Sequence, residues 1–198
     1  MSEPTKNEIE HYKQCYQTPP DFLWWAGVKV LPTHGHTRFT LDTCAEPWNT
    51  KCPEFIAPDG TMPVSGMIGT NGITTSWKTG GAAWCNPGFR NIWPWTRQAR
   101  AQRDAGQLSV VLSHATHAAD WAQWTIRNAA ACYLINPRIN FDEDPRYLSE
   151  LARNGKKPGG NPRDSMLWVF DPSYDGPCQF INAEPWIMKV RRRKKKAA

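Results

Sequence analysis

Nothing in the sequence marks a membrane protein, a disulfide-built domain or a metalloenzyme. No apolar run approaches the ~20 residues needed to cross a bilayer. The opening MSEPTKNEIE is polar and acidic, unlike a secretory signal, and a soluble cytoplasmic protein is expected. The six cysteines (Cys15, Cys44, Cys52, Cys85, Cys132, Cys178) never form C-x-x-C. Cys44, Cys85 and Cys132 lie in or beside apolar runs, where a free thiol behaves as a small hydrophobe, so reduced structural cysteines are expected. His34-Gly-His36 and His114-x-x-His117 match no H-E-x-x-H or cysteine-paired pattern, so they read as surface or loop histidines and no metal is expected. A Ser–His–Asp hydrolase is excluded similarly, because no G-x-S-x-G elbow exists and Ser65 has no strand leading into it.

What remains is a globular chain of 198 residues, one domain's worth. The 17 Pro and 14 Gly imply short elements joined by many turns. The formal charge of +6 is local. Arg191, Arg192, Arg193, Lys194, Lys195 and Lys196 supply it, and the other 18 basic residues balance the 18 acidic ones. Such a like-charge run is expected to be disordered. It can attract phosphates without sequence preference, or it is a solubilising end or an expression-derived addition.

The expected organisation is a polar arm (1–17), a folded unit (18–190) with inserted loops near 60–80 and 142–164, and the basic tail (191–198). The arm reads as helical over 6–16 and a short apolar helix over 21–26, with Asp21 as its N-cap. Alternating Phe39, Leu41 and Thr43 mark a strand over 38–44. Low periodicity makes 47–81 a loop-rich stretch. Apolar strands follow at 82–85, 108–112, 131–135 and 166–170, with helices over about 91–105 and 119–129 between the first three. Strand, helix, strand, helix, strand predicts an α/β, Rossmann-like fold with a mostly parallel central sheet. Ligands on such sheets bind at the carboxyl ends of strands, which places residues 42–45 and 86–89 on one functional edge.

Asn86-Pro87-Gly88-Phe89, at the end of a buried strand, is the most informative tetrapeptide. It looks like the [Asn/Asp/Ser]-Pro-Pro-aromatic motif of amino-methyltransferases. An exocyclic adenine amine is a poor nucleophile, because its lone pair is delocalised into the ring. Two acceptors gripping its two N–H bonds pull it towards tetrahedral geometry and aim the lone pair at an incoming methyl. The Asn86 side-chain oxygen and the Pro87 carbonyl are two such acceptors, the second held by proline's fixed φ. Phe89 offers a flat face for an extruded base, a stack worth ~1–3 kcal/mol. With a sulfonium donor, alignment is the main requirement, and no metal or nucleophilic side chain is needed.

The ordered segments Thr18-Pro-Pro-Asp-Phe22, Phe39-Thr-Leu-Asp-Thr-Cys-Ala45, Asn49, Lys51-Cys52, Trp84-Cys-Asn-Pro-Gly-Phe89, Trp95, Arg138-Ile-Asn-Phe141 and Ser165-Met-Leu-Trp-Val-Phe170 extend the likeness across most of the chain. Together they resemble the phage-type DNA adenine N-6 methyltransferases, the Dam family of phages and prophages. The resemblance implies S-adenosylmethionine as cofactor and double-stranded DNA as substrate, in a bacterial host's cytoplasm if the gene is phage- or prophage-borne. It implies that Asp42 approaches the methionine amine beside the Cys44–Ala45 backbone, and that Thr18-Pro19 lies against the cofactor with Phe22 lining the same pocket. Asp59 is the candidate for the ribose. The cofactor has no pyrophosphate, so the absent Gly-x-Gly-x-x-Gly is no objection. Gly88 and Arg138 join the substrate side, with Lys156, Lys157 and Arg163 from a mildly basic loop.

The sequence departs from the family where Gly88 replaces the second proline and restores backbone freedom. It also has Phe89 in place of the usual Tyr, Asn136-Pro137 before Arg138 where the family usually carries Gly, and Ser113 in place of Pro. A catalytically degenerate relative that binds DNA or cofactor without turnover is therefore the second reading. Most of the 11 Trp are expected in the core, including Trp24, Trp25, Trp93, Trp95, Trp121 and Trp124 on helices. Trp48 and Trp77, in loops, are the ones expected to touch a ligand.

Overall fold

The computed structural model describes residues 4–12, 16–157 and 163–186. The basic run 191–196 lies outside them. Among the described residues eight strands form one sheet: β1 (Phe39–Asp42), β2 (Glu54–Ala57), β3 (Met67–Thr70), β4 (Ala82–Cys85), β5 (Ser109–His114), β6 (Ala131–Leu134), β7 (Ser165–Phe170) and β8 (Gln179–Asn182). Their spatial order is β3-β2-β1-β4-β5-β7-β6-β8. All neighbours are parallel except β7, which runs antiparallel between β5 and β6. This is the expected α/β, Rossmann-like architecture with a mostly parallel sheet.

Residues on the central strands alternate between two buried clusters. Trp84, Val110, Leu112, Leu167 and Val169 face one side with Phe22, Trp25 and Ala26 of α2 (Pro20–Lys29). Ala83, Cys85, Val111, Trp168 and Phe170 face the other with Ala99 of α3 (Trp93–Asp104). A period of two with both faces covered explains why these strands read as continuous apolar runs. Two shorter helices, α4 (Asp120–Ile126) and α5 (Pro145–Arg153), complete the outer shell, and α1 (Lys6–Tyr12) contacts α5.

Several expectations need correction. The stretch 47–81 is not simply loop, since it contains β2 and β3. Each has only four residues and little alternation, so the sheet identifies them where the sequence pattern does not. The loop expected over 142–164 contains α5, started by the Asp144 carboxylate accepting from the Arg146 amide at 2.7 Å with Pro145 behind it. Helix α2 begins one residue before Asp21 and runs three past Ala26, with Pro19 at its N-cap. Trp77 is fully buried, its indole N–H donating to the Gly72 carbonyl at 2.7 Å, so it is core. His34 is not a surface histidine: its Nδ1 lies 2.7 Å from the buried Asp171 carboxylate.

Candidate active site

The chain leaves β1 for β2 and β3 on one side, then returns to β4 on the other. The β1–β4 boundary is thus the switch point of the sheet, where the loops at the strand tips diverge and leave a crevice. Asp42 ends β1 opposite Trp84, and Asn86 follows β4 immediately.

Two cavities open on this edge. One, of 390 Å³, is lined by Thr43, Cys44, Ala45 and Glu46 from the tip of β1, and by Asp59, Gly72, Asn86, Gly88 and Trp95, among others. The other, of 540 Å³, is lined chiefly by aromatic rings: Tyr16, Phe89, Trp93, His114, Trp121 and Phe141, with Arg163 at its edge. Tyr16 lines both. A notch of only 20 Å³ separates Asp42 from Asn86, and shares Tyr16, Cys44, Asn49 and Asn86 with the first cavity.

Asp42 is 4% exposed. Its carboxylate accepts the Lys51 amide at 3.1 Å and the Cys44 amide at 3.4 Å. Burial outweighs these donors and pushes its pKa up to about 6. Cys44 and Ala45 line the larger cavity, as does the exposed Asp59 just beyond β2, which accepts from the Asn71 side chain at 3.0 Å. Gly72 closes the floor. A Cβ there would collide with the Thr43 carbonyl and the Trp95 ring, so only glycine lets these walls meet.

Asn86 is held by its nitrogen. Nδ2 donates to the Tyr16 carbonyl and to the Thr18 hydroxyl, each at 3.1 Å. Pro87 is buried between the cavity-lining Asn86 and Gly88. Phe89 belongs to the second cavity, its ring centroid 5.8 Å from both His114 and Phe141. His114 sits at the end of β5, half-buried, where desolvation and the Arg163 charge lower its pKa.

The structure thus brings together Asn86, Pro87, Gly88, Phe89, Asp42, Cys44, Ala45, Asp59 and Thr18. It does not bring Phe22 to a cavity: Phe22 is fully buried, stacked on Trp25 and edge-on to Trp84 and Trp186, because α2 turns that face to the sheet. Pro19 is buried at the start of the same helix. Arg138 is exposed and paired with Asp164 rather than lining either cavity. Lys156 and Lys157 are exposed beyond α5, and of the basic group only Arg163 reaches a cavity. Residues missed from sequence are Tyr16, Trp93, Trp95, His114, Trp121 and Phe141. The four on helices or a strand read as core or surface by residue type, and only their position at the strand-tip edge separates them from packing residues. Trp48, expected to touch a ligand, lines neither cavity; it is half-exposed, with the Arg146 guanidinium 5.2 Å over its ring. Among the described residues no group of three or more His, Cys, Asp or Glu could hold a metal, and no helix is long and apolar enough to cross a membrane.

A mostly parallel sheet with β7 reversed, and a crevice at its switch point, are those of a Rossmann-like methyltransferase fold. The chain belongs to the DNA N-6-adenine-methyltransferase (Dam) family, whose model matches residues 6–196. It is also similar to the DNA N-6-adenine-methyltransferase of Haemophilus phage HP1 (strain HP1c1), with 28% identity over 162 residues, covering 81% of this chain and 80% of the phage protein.

Proposed function

We propose that the protein transfers a methyl group from S-adenosylmethionine to the exocyclic N6 amine of adenine in double-stranded DNA, acting on a base extruded from the duplex. The observation that carries this reading is the position of Asn86. Its amide nitrogen is tied back to the chain, and it stands at the wall of one cavity while Phe89, three residues on, lines the next.

The residues of the 390 Å³ cavity fit the cofactor. Asp42, in the notch that adjoins this cavity, offers a buried carboxylate for the methionine ammonium, Asp59 beyond β2 suits a ribose diol, and Trp95 gives an apolar wall for a purine. When bound there, the cofactor supplies an electrophilic methyl on a positively charged sulfur. Asn86 and the Pro87 carbonyl accept the two N6 hydrogens of the target base, Phe89 stacks on its face, and the lone pair is turned toward the first cavity. The new N–C bond forms as the C–S bond breaks, the electron pair stays on sulfur, and one N6 proton is released to water. The chain's contribution is alignment.

Arg163, Lys156, Lys157, Arg138 and the 191–196 run supply cations for the DNA backbone, while the segments near 60–80 and 142–164 read base edges. Incubation with methyl-labelled cofactor and mixed-sequence DNA, followed by mapping of modified bases, tests the reading. Methylation at adenine N6 that Asn86→Ala abolishes supports it. Cofactor binding without transfer by the intact protein overturns it in favour of the degenerate relative.

A further inference from the structure

We propose that the Tyr16–Thr18 segment is a strap that aims the Asn86 amide, with Thr18 as a positioning residue for the reaction rather than a cofactor contact. The inference rests on the reading of Asn86 given above.

An asparagine amide is flat, with two N–H donors on one arm and an acceptor oxygen on the other. The Tyr16 carbonyl can only accept a hydrogen bond. It therefore fixes which arm of Asn86 is the nitrogen. Thr18 takes the second N–H at the same 3.1 Å. With both donors engaged on the strap, Oδ1 is turned to the opposite side, as an acceptor for an incoming amine. Without the strap, the amide is free to rotate about its terminal bond and present a donor to a donor.

The strap is itself fixed from behind. Gln17 and Asp142 exchange two backbone hydrogen bonds, at 2.9 and 3.1 Å. The Lys51 ammonium donates to the Gln17 side-chain carbonyl at 3.2 Å, and the Lys51 amide holds Asp42. Thr18 is 2% exposed, which leaves its hydroxyl little freedom to seek another partner. One continuous set of bonds therefore runs from Asp42 through Lys51 and Gln17 to Asn86. It holds the Asp42 carboxylate and the Asn86 amide in fixed relation around the notch that adjoins the first cavity.

This arrangement also accounts for Asn at position 86 where Asp would serve the grip on the amine equally well. A carboxylate there would face the Tyr16 carbonyl with an acceptor against an acceptor.

The test compares Thr18→Val, which keeps the shape and removes the acceptor, with Thr18→Ser, which keeps the hydroxyl. Methyl transfer to mixed-sequence DNA is followed at saturating cofactor, with cofactor affinity measured by calorimetry. Thr18→Val is expected to lower kcat about tenfold, the worth of one hydrogen bond lost in the transition state, with cofactor Kd unchanged and kcat restored in Thr18→Ser. Asn86→Asp is expected to lose at least a hundredfold, and it decides the matter should Thr18→Val not fold. The proposal is overturned if Thr18→Val keeps the wild-type kcat, if its defect lies in cofactor Kd, or if Asn86→Asp is as active as wild type. Wild-type transfer that Asn86→Ala abolishes leaves the proposed function standing in each of those cases.

Discussion

A buried carboxylate with a pKa of about 6 makes cofactor binding a function of pH. Asp42 has lost most of its water, and two backbone amides only partly replace it. In the empty protein at pH 5, one unit below that pKa, about a tenth of the molecules carry the charge that a methionine ammonium needs. Affinity for S-adenosylmethionine should therefore fall about tenfold between pH 7 and pH 5, and only about twofold between pH 7 and pH 6. Titration calorimetry across this range reads it directly, with proton uptake checked by repeating the measurement in buffers of different ionisation enthalpy. Asp42→Asn removes the titrating group, so its weaker affinity should be level over the same interval. Equal affinity of the wild type at pH 5 and pH 7, or an unchanged slope in Asp42→Asn, would refute the assignment of Asp42 to the ammonium.

Other perturbations probe the second cavity, the floor of the first and the far edge of the sheet. Phe89→Ala removes the stacking face and should lower kcat/KM for DNA by about 5- to 150-fold, the equivalent of ~1–3 kcal/mol, while cofactor Kd measured by calorimetry stays as it was. Gly72→Ala must displace the Thr43 carbonyl or the Trp95 ring, so thermal unfolding should show a lower midpoint and the cofactor should bind more weakly. His34→Ala leaves the Asp171 carboxylate without its ring partner and should cost ~1–3 kcal/mol in urea unfolding at pH 7. Burial alone would raise the Asp171 pKa, yet the Ser173 hydroxyl and amide and His34 hold it below the usual value. Its stabilising contribution is thus present above about pH 4 and disappears as pH falls through that lowered pKa, and a urea midpoint series from pH 7 to pH 3 checks the sign.

The parts of this molecule legible in the sequence are those where local chemistry and tertiary role coincide. Ala82-Ala-Trp-Cys85 and Ser165-Met-Leu-Trp-Val-Phe170 are apolar throughout because both faces of the sheet are covered, and the tetrapeptide at the tip of β4 announces itself by its unusual polar-Pro-aromatic order. Asp42 was visible through the resemblance of the Phe39–Ala45 segment to the family's cofactor motif, at a strand tip where such sheets bind ligands. The rest depended on position. Glu54-Phe-Ile-Ala57 is too short to show a period, and the direction of β7 is a property of its connections, to which its residues are indifferent. Trp95 and Trp121 carry the composition of packing residues, and become cavity walls because α3 and α4 begin at the strand-tip edge. Phe22 errs the other way: its place beside Thr18-Pro19 suggested a pocket, while one further turn of helix delivers it to the core. The Asp144-Pro145 start of α5 was readable as an N-cap followed by a helix-compatible proline, but the polar face that follows masked it.

Two polar groups at the edge of the sheet are expensive to the folded state, and they stand in different cavities. Ionised at pH 7, Asp42 costs about 3 kcal/mol relative to an exposed carboxylate, roughly 1.4 kcal/mol for each of about two pH units. His114 buries its Nδ1 with no hydrogen-bond partner, at a cost of ~1–3 kcal/mol. A fold kept only for its shape gains nothing from either, whereas a cofactor ammonium would neutralise the first and a base in the cavity that Phe89 and His114 line would meet the ring that carries the second. Local conflicts of this kind mark where a sequence serves chemistry rather than stability. His114→Phe should therefore raise the urea midpoint of the unliganded protein at pH 7 while lowering methyl transfer, whereas in Asp42→Asn the relief of the buried charge is offset by an amide N–H set against the Lys51 or Cys44 backbone N–H. A lower midpoint in His114→Phe would mean that this ring is structural, and the physical case against the degenerate relative would fail with it.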